Sequence, residues 1–388
     1  MLAVAVATQG VANCYLLGLA SVSPELKSQF GLSIGQVGLM LAAPVFGLAT
    51  TTLFWGIACD RFDESRLLAL GLGGATIALF AASKCTHATE LFAVLFVAGA
   101  TGAVANTATS RTIIAWFPMR ERGMALGVRH MSAPAGVLVA GLVFPHIVGN
   151  GVSTVFVVLS IAVFVVGLVT FLVLHNSKAL NVPMARQRGG TMDALRNRGL
   201  LRLSAGASLS MACQASLVSF FVLLLTSNYG LSLTAAALCL SVTQGLAAFG
   251  RIAVGWASDR MGARVPILRF LAAGAGILTI LAAFLLGVSL VIELPILVIA
   301  SCLASIPNGL TFARAVEIVG TARSGTSIGL LNTITTGAGA LGSSFFGGLV
   351  SRAGWNTALI AVGVLSLISW VVYRPIDERR MERAAQAA

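Results

Sequence analysis

GLSLTAAALCLSVTQGLAAFGRIAVGWASDR, residues 230–260, decides the fold. It matches GLSIGQVGLMLAAPVFGLATTTLFWGIACDR, residues 31–61, without a gap over 31 positions, ten of them identical. Each copy opens with Gly-Leu-Ser, runs apolar, and closes on Gly followed four residues later by Asp-Arg. A repeat period of 199 in a chain of 388 residues means two homologous halves. Self-similarity on that scale governs the architecture. In a membrane chain it points to two halves that rock about a site at their interface.

Composition places the chain in a bilayer. Hydrophobic residues make up 57% and charged residues 10%, whereas a soluble domain carries about 25% charged residues. Mean hydropathy is +0.94. Twelve apolar stretches approach or exceed the ~20 residues that cross a bilayer. They are Leu2–Val22, Ile34–Cys59, Leu67–Ser83, Leu91–Ala115, Gly123–Ile147, Thr154–Leu174, Leu201–Leu225, Leu233–Ala257, Ile267–Gly287, Leu290–Ala313, Thr326–Leu349 and Thr357–Tyr373. The expected organisation is all-α: a six-helix half at 1–175, a polar linker at 176–199, a second six-helix half at 200–374 and a charged tail at 375–388.

The net charge of +12 is distributed by topology. One set of connections holds Arg61, Arg66, Arg120, Arg122, the basic linker, Arg260, Arg264, Arg269, Arg323 and the tail; the other holds only Lys27, Lys84 and Arg352. This is the positive-inside pattern, not a nucleic-acid surface. It puts both termini and the linker in the cytoplasm of a cell whose inner membrane holds the protein. No basic stretch precedes the first span, so a cleaved signal peptide is not expected. The six cysteines are scattered singly, with no CxxC spacing, so neither a disulfide framework nor a metal site is read, and no cofactor is expected. No HExxH or GxSxG segment supports an enzyme.

The loop after span 8 reads Gly255-x3-Asp259-Arg260-x-Gly262-x-Arg264. With twelve spans, two halves and a basic linker, it resembles the major facilitator superfamily, whose signature occupies this loop in each half. The resemblance implies a transporter, usually monomeric, in which these residues latch the cytoplasmic side. The first copy departs from the pattern: Gly56, Asp60, Arg61 and Arg66 are present, but Asp63 and Glu64 stand where a glycine and a base are usual. WFPMRERGMALG, residues 116–127, resembles a second element of bacterial members, and Pro134-Ala-Gly136 with Gly141 is a partial match to the antiporter-type helix 5 element.

Charges inside a membrane are costly and mark function. Arg251 lies about 9 Å inside the end of span 8 at 1.5 Å per residue, and Gln244, seven residues earlier, shares its face. In monocarboxylate and oxalate–formate transporters, which this chain resembles, a helix 8 arginine near this place binds the substrate carboxylate. A guanidinium suits that task because it bonds a carboxylate bidentately. Thr52 occupies the matching position of the first copy, so the site would be asymmetric. Arg129 and His130 lie in span 5, and His130 is a candidate for proton coupling. Arg111 reads as snorkelling near a span end.

Gln9 and Asn13 share a face of span 1; Asn106 lies in span 4, Gln214 in span 7, Asn308 in span 10 and Asn332 in span 11. Each could line a cavity or make an interhelical hydrogen bond. Gly337, Gly339 and Gly342 are expected to serve helix packing. No Asp or Glu falls inside spans 1–9; Glu90 and Glu293 sit near outer ends and Glu317 is placed in the loop after span 10. Buried cations without buried acids favour an anionic cargo. The expectation is a secondary transporter for a small organic anion, with the bilayer and possible coupled protons as partners. Efflux of hydrophobic or amphipathic compounds is the alternative.

Overall fold

The structure, a computed structural model, describes residues 2–59, 62–109, 128–175, 197–261, 264–319 and 324–373. Ten of its helices are long and apolar enough to cross a membrane, and a bent pair at the start makes an eleventh pass. The last helix, Ser324–Val372, holds 49 residues. At 1.5 Å per residue it would run about 70 Å, more than twice a bilayer core. Gly354 breaks it, with φ 82° and ψ 172°. Glycine tolerates that positive φ without a Cβ penalty, so the helix is two passes and the described residues make twelve.

We label the passes α1–α12. α1 is Leu2–Leu16, α2 Ile34–Cys59, α3 Glu64–Ala82 and α6 Val152–His175. α4 is Ala88–Gly102, running on past a break to Thr109; α5 is Ser132–Ile147, preceded by a short helical stretch from Val128. α7 is Arg198–Tyr229, α8 Leu233–Met261 and α9 Arg264–Leu285. α10 comprises Leu290–Ser305 and Asn308–Val319; α11 and α12 lie before and after Gly354.

Three expectations need correction. Span 1 does not run straight to Val22: α1 stops at Leu16 and bends by 42° into a 3-10 turn, Gly18–Val22, and a short helix, Ser23–Gln29. At the bend Gly18 presses on α5, where a Cβ would stand 2.4 Å from that of Ala140. The hydroxyls of Ser21 and Ser23 donate to the carbonyls of Gly18 and Ala20. Glu25 and Lys27 are therefore helical, not in a loop. Glu317 likewise lies in the second segment of α10. Asp63, out of place in the signature, is the N-cap of α3, its carboxylate accepting the Arg66 N–H at 3.0 Å. Such a cap meets an otherwise orphaned donor.

Packing repeats across the chain. α3 packs on α6 as α9 packs on α12, α2 on α4 as α8 on α10, and α1 on α5 as α7 on α11. The halves meet through α2 against α11 and α5 against α8. Outward-facing side chains are large and apolar, with Phe249 72% and Val291 82% exposed, as a lipid-facing surface requires. Backbones approach most closely where glycine removes the side chain. On α4 a Cβ at Gly99 would fall 1.8 Å from the Pro44 carbonyl oxygen of α2, and on α2 a Cβ at Gly47 would fall 2.0 Å from that of Phe96. Gly342 lies against Ala212 and Gly339 against Met211, as expected, whereas a Cβ at Gly337 would meet nothing within 4 Å.

Gly99→Ala should therefore lower the apparent melting temperature of the detergent-purified protein, by an overpacking cost of about 1–3 kcal/mol. Gly73→Ala on α3, where a Cβ meets nothing within 4 Å, should leave it unchanged. Equal behaviour of the two variants would show that the α2–α4 contact is looser than described.

Candidate functional site

Two helix breaks organise the centre. α10 is interrupted at Ile306–Pro307. Proline lacks the N–H and crowds the preceding turn, so it breaks a helix interior. α4 is interrupted at Ala103 without a proline; here the Tyr15 hydroxyl of α1 occupies the place of a Gly102 Cβ, 1.8 Å from it. A side chain pressed into a helix is a known cause of a kink. Around these breaks carbonyls recruit side chains. The Ala100 carbonyl of α4 accepts from the Thr51 hydroxyl at 2.7 Å and the Trp55 indole N–H at 2.8 Å, both on α2. The Ser305 carbonyl of α10 accepts from Nε of Arg251 on α8 at 3.0 Å. The repeat-related helices α2 and α8 thus perform one task, with neutral groups in the first half and a guanidinium in the second.

Arg129 is 4% exposed, and its Nε and Nη2 are bonded within its own half. Its Nε donates to the Thr109 hydroxyl at 2.9 Å. Its Nη2 donates to the Asn106 carbonyl at 2.6 Å, to Asn106 Oδ1 at 3.2 Å and to Gln9 Oε1 at 3.4 Å. Gln9 Nε2 donates to Asn106 Oδ1 at 2.6 Å. One buried cation therefore ties α1, α4 and the start of α5 together. Removing one member of such a network costs more than the bonds suggest, because the others stay buried.

Arg251 spans the two halves. Besides Ser305 it donates from Nη1 to the His130 carbonyl at 3.2 Å. The His130 ring stacks on Phe312 of α10, centroids 5.2 Å apart and planes at 20°. His130 also lies within electrostatic range of both guanidiniums. Opposite, Asn308 Nδ2 donates to Gln214 Oε1 at 3.2 Å. This pairs α10 with α7 as Asn106 and Gln9 pair α4 with α1. Gln244 is 2% exposed and its Nε2 has no partner among the described residues.

The structure thus brings together Gln9, Asn106, Arg129, His130 and Arg251, with Gln214–Asn308 beside them. It turns two candidates elsewhere. Asn13 donates to the Gln9 carbonyl of its own helix at 2.7 Å and packs against Gly136 of α5. Asn332 accepts from Thr336, one turn on, at 3.5 Å. Nothing in the sequence marks Thr109, Phe312, Thr51 or Trp55 as central; Pro307 alone is a local signal of the α10 break.

The signature residues have simple partners. Arg264 forms an ion pair with Glu317, which also pairs with Arg314 at 3.1 Å, all within the second half. Arg260 lies 4.0 Å from the Trp256 ring centroid. The Arg66 side chain is exposed. Among the described residues a Cβ at Gly255 would meet nothing within 4 Å, and one at Gly56 only Thr107 at 3.8 Å. The tight approaches lie elsewhere, at Gly47 and Gly99. Asp60, Arg61, Gly262, Arg111, the 116–127 element, most of the linker and the tail lie outside the described residues, as does the side chain of Asp259.

A further contact closes the end opposite the basic loops. The Gly35 N–H donates to the Ser351 hydroxyl at 2.7 Å, joining α2 to α11. A Cβ at Gly38 would stand 3.0 Å from the Ser343 carbonyl oxygen, and one at Gly347 would stand 3.0 Å from that of Ile34. Phe220, Phe346 and Trp355 cluster there with centroids 5.1–6.3 Å apart.

Comparison with known proteins agrees with this architecture. The family profile described as Major Facilitator Superfamily matches residues 3–343. An uncharacterised transporter of this type from Mycobacterium tuberculosis is 29% identical over 359 residues, 91% of this chain and 79% of its own. Two partial relatives are 28% identical: a probable sulfoacetate transporter of Cupriavidus necator, over 34% of this chain and 30% of its own, and a glycerol-3-phosphate transporter of Bacillus subtilis, over 40% and 33%. A bacterial homologue of the human lysosomal transporter Spinster, solved inward-facing and occupied, superimposes with a TM-score of 0.79 at 19% identity, over 96% of this chain and 95% of that one. With its repeated halves, paired helix breaks and family match over most of its length, the chain belongs to the major facilitator superfamily.

Proposed function

We propose that this transporter moves a small organic anion, most simply a carboxylate, across the cytoplasmic membrane by alternating access, with the basic loops and both termini in the cytoplasm. The observation that carries this reading is the pair of guanidiniums at the centre, Arg129 buried and Arg251 half-buried, Arg251 reaching across the half interface to the backbone of His130. Among the described residues the fully buried acid is Glu293, in the first turn of α10. It lies twelve residues from Ser305, about 18 Å along a helix. The centre therefore favours an anion over a cation. The two partial relatives are named for sulfoacetate and glycerol-3-phosphate, both organic anions. Proton coupling would run through His130, which stacks on Phe312, or through the carboxylate of the cargo itself.

A second reading rests on the same bonds. Arg251 already donates to two carbonyls, so it could serve only to hold the α10 break, leaving an apolar route for amphipathic efflux. Its Nη2 makes no hydrogen bond among the described residues, which leaves part of the fork for a ligand.

Arg251→Ala should weaken carboxylate binding about 10- to 150-fold, the equivalent of a charge-assisted hydrogen bond of ~1.5–3 kcal/mol. Carboxylate-dependent thermal stabilisation of the purified protein reads this directly. Arg251→Lys should recover part of it, since charge returns without the bidentate fork. Unchanged affinity in Arg251→Ala, or stabilisation by lipophilic cations and neutral drugs alone, would favour efflux.

A further inference from the structure

The two halves present unequal polar centres. In the first half the central amides are bonded within the protein, although the Tyr15 and Thr107 hydroxyls are buried without partners among the described residues. Gln9 donates and accepts, Asn106 Oδ1 accepts twice, and the Thr109 hydroxyl accepts from Arg129 and donates to the Ala105 carbonyl. The second half is undersupplied. Gln214 and Asn308 share one bond, and among the described residues Gln214 Nε2 and Asn308 Oδ1 make no other. Gln244 Nε2 and the hydroxyls of Ser301 and Ser305 are buried without partners, their residues at most 2% exposed. Each buried polar atom left unmet costs roughly 1–3 kcal/mol, so each of these atoms is a candidate for a ligand's hydrogen bond.

Gln214 and Asn308 lie beside the α10 break. Asn308 follows the Ile306–Pro307 break directly, three residues after the carbonyl that holds Arg251. Gln244 stands two turns from Arg251 on the same face of α8, about 10 Å away. An amide offers a donor and an acceptor side by side, and a hydroxyl group offers both in return. Arg129 has its partners inside the first half and positions helices there.

We infer that the second half reads an uncharged hydroxyl of the cargo through Gln214, Asn308 and Gln244, so that the substrate is a small hydroxylated carboxylate and not a plain alkyl carboxylate. This rests on the anion reading above and adds to it which half sets specificity. A site built to bond a hydroxyl discriminates strongly against the analogue that lacks it, because its own buried groups are then left unpaired.

The test uses the full chain in detergent and three matched pairs: lactate with propionate, 3-hydroxybutyrate with butyrate, and malate with succinate. Affinity is taken from thermal stabilisation against concentration. At least one hydroxylated member should bind about tenfold or more tighter than its partner, a difference of ~1.4 kcal/mol. Gln214→Leu and Asn308→Leu should bring that ratio to within about threefold, while anion binding itself persists. Arg251→Ala should weaken both members of a pair alike. If wild type binds both members of every pair equally, or if no hydroxylated acid stabilises it, the inference is overturned. The first outcome leaves the anion reading standing. Stabilisation by uncharged compounds alone would remove both. Should a leucine variant fail to fold, the wild-type ratios decide on their own.

Discussion

A guanidinium cannot be left bare in the interior of a membrane protein. It always carries its charge, and it must be met by oxygen. Arg251 meets this constraint with two backbone carbonyls, one at the break in α10 and one in α5 of the opposite half. The carbonyl of Ser305 lies at the break because Pro307 interrupts the helix. The break, the arginine and the seam between the halves therefore depend on one another. Where the first half has a comparable break, Thr51 and Trp55 of α2 serve in place of a charge. At this position of the repeat the second half carries a guanidinium where the first carries neutral donors.

Arg129 answers the same constraint differently. Its Nε and Nη2 are taken by Thr109, Asn106 and Gln9, so it stabilises the join of three helices. Away from the centre, the two halves touch through glycine-lined backbone contacts and an aromatic cluster at the end opposite the basic loops. Such contacts are short-range dispersion and one hydrogen bond, strong when closed and lost over a small displacement. A dry, separable contact at one end suits the proposed rocking of the halves.

Much of this was legible in the sequence, for identifiable reasons. The repeat gave the two halves, and α2 was read with the limits it shows, Ile34–Cys59. Glutamine, asparagine and arginine are expensive in a bilayer, so Gln9, Asn106, Arg129 and Arg251 stood out and converge. What stayed hidden depends on partners from other helices. The α4 break has no proline; its cause, Tyr15 against Gly102, comes from α1. Asn13 and Asn332 have the right residue type but bond within their own helices, a choice that rotamer and neighbours make. The Gly35, Gly38 and Gly347 contacts look like ordinary helix glycines until α2 and α11 are paired. Hydropathy also cannot show that an apolar run bends, as α1 does at Gly18.

The most direct test of the account is a reversible lock on the α2–α11 contact. Ser351 Oγ lies 3.2 Å from where a Cβ at position 35 would stand, a separation suited to a disulfide. Gly35→Cys with Ser351→Cys, in a chain whose six native cysteines are replaced by serine or alanine, would be reconstituted in liposomes. Uptake of the radiolabelled carboxylate that stabilises the wild type would then be followed. The account predicts that oxidation abolishes uptake and that reduction restores it. Uptake that continues at the wild-type rate with the cross-link fully formed would contradict it, because the contact between the halves would then not need to open.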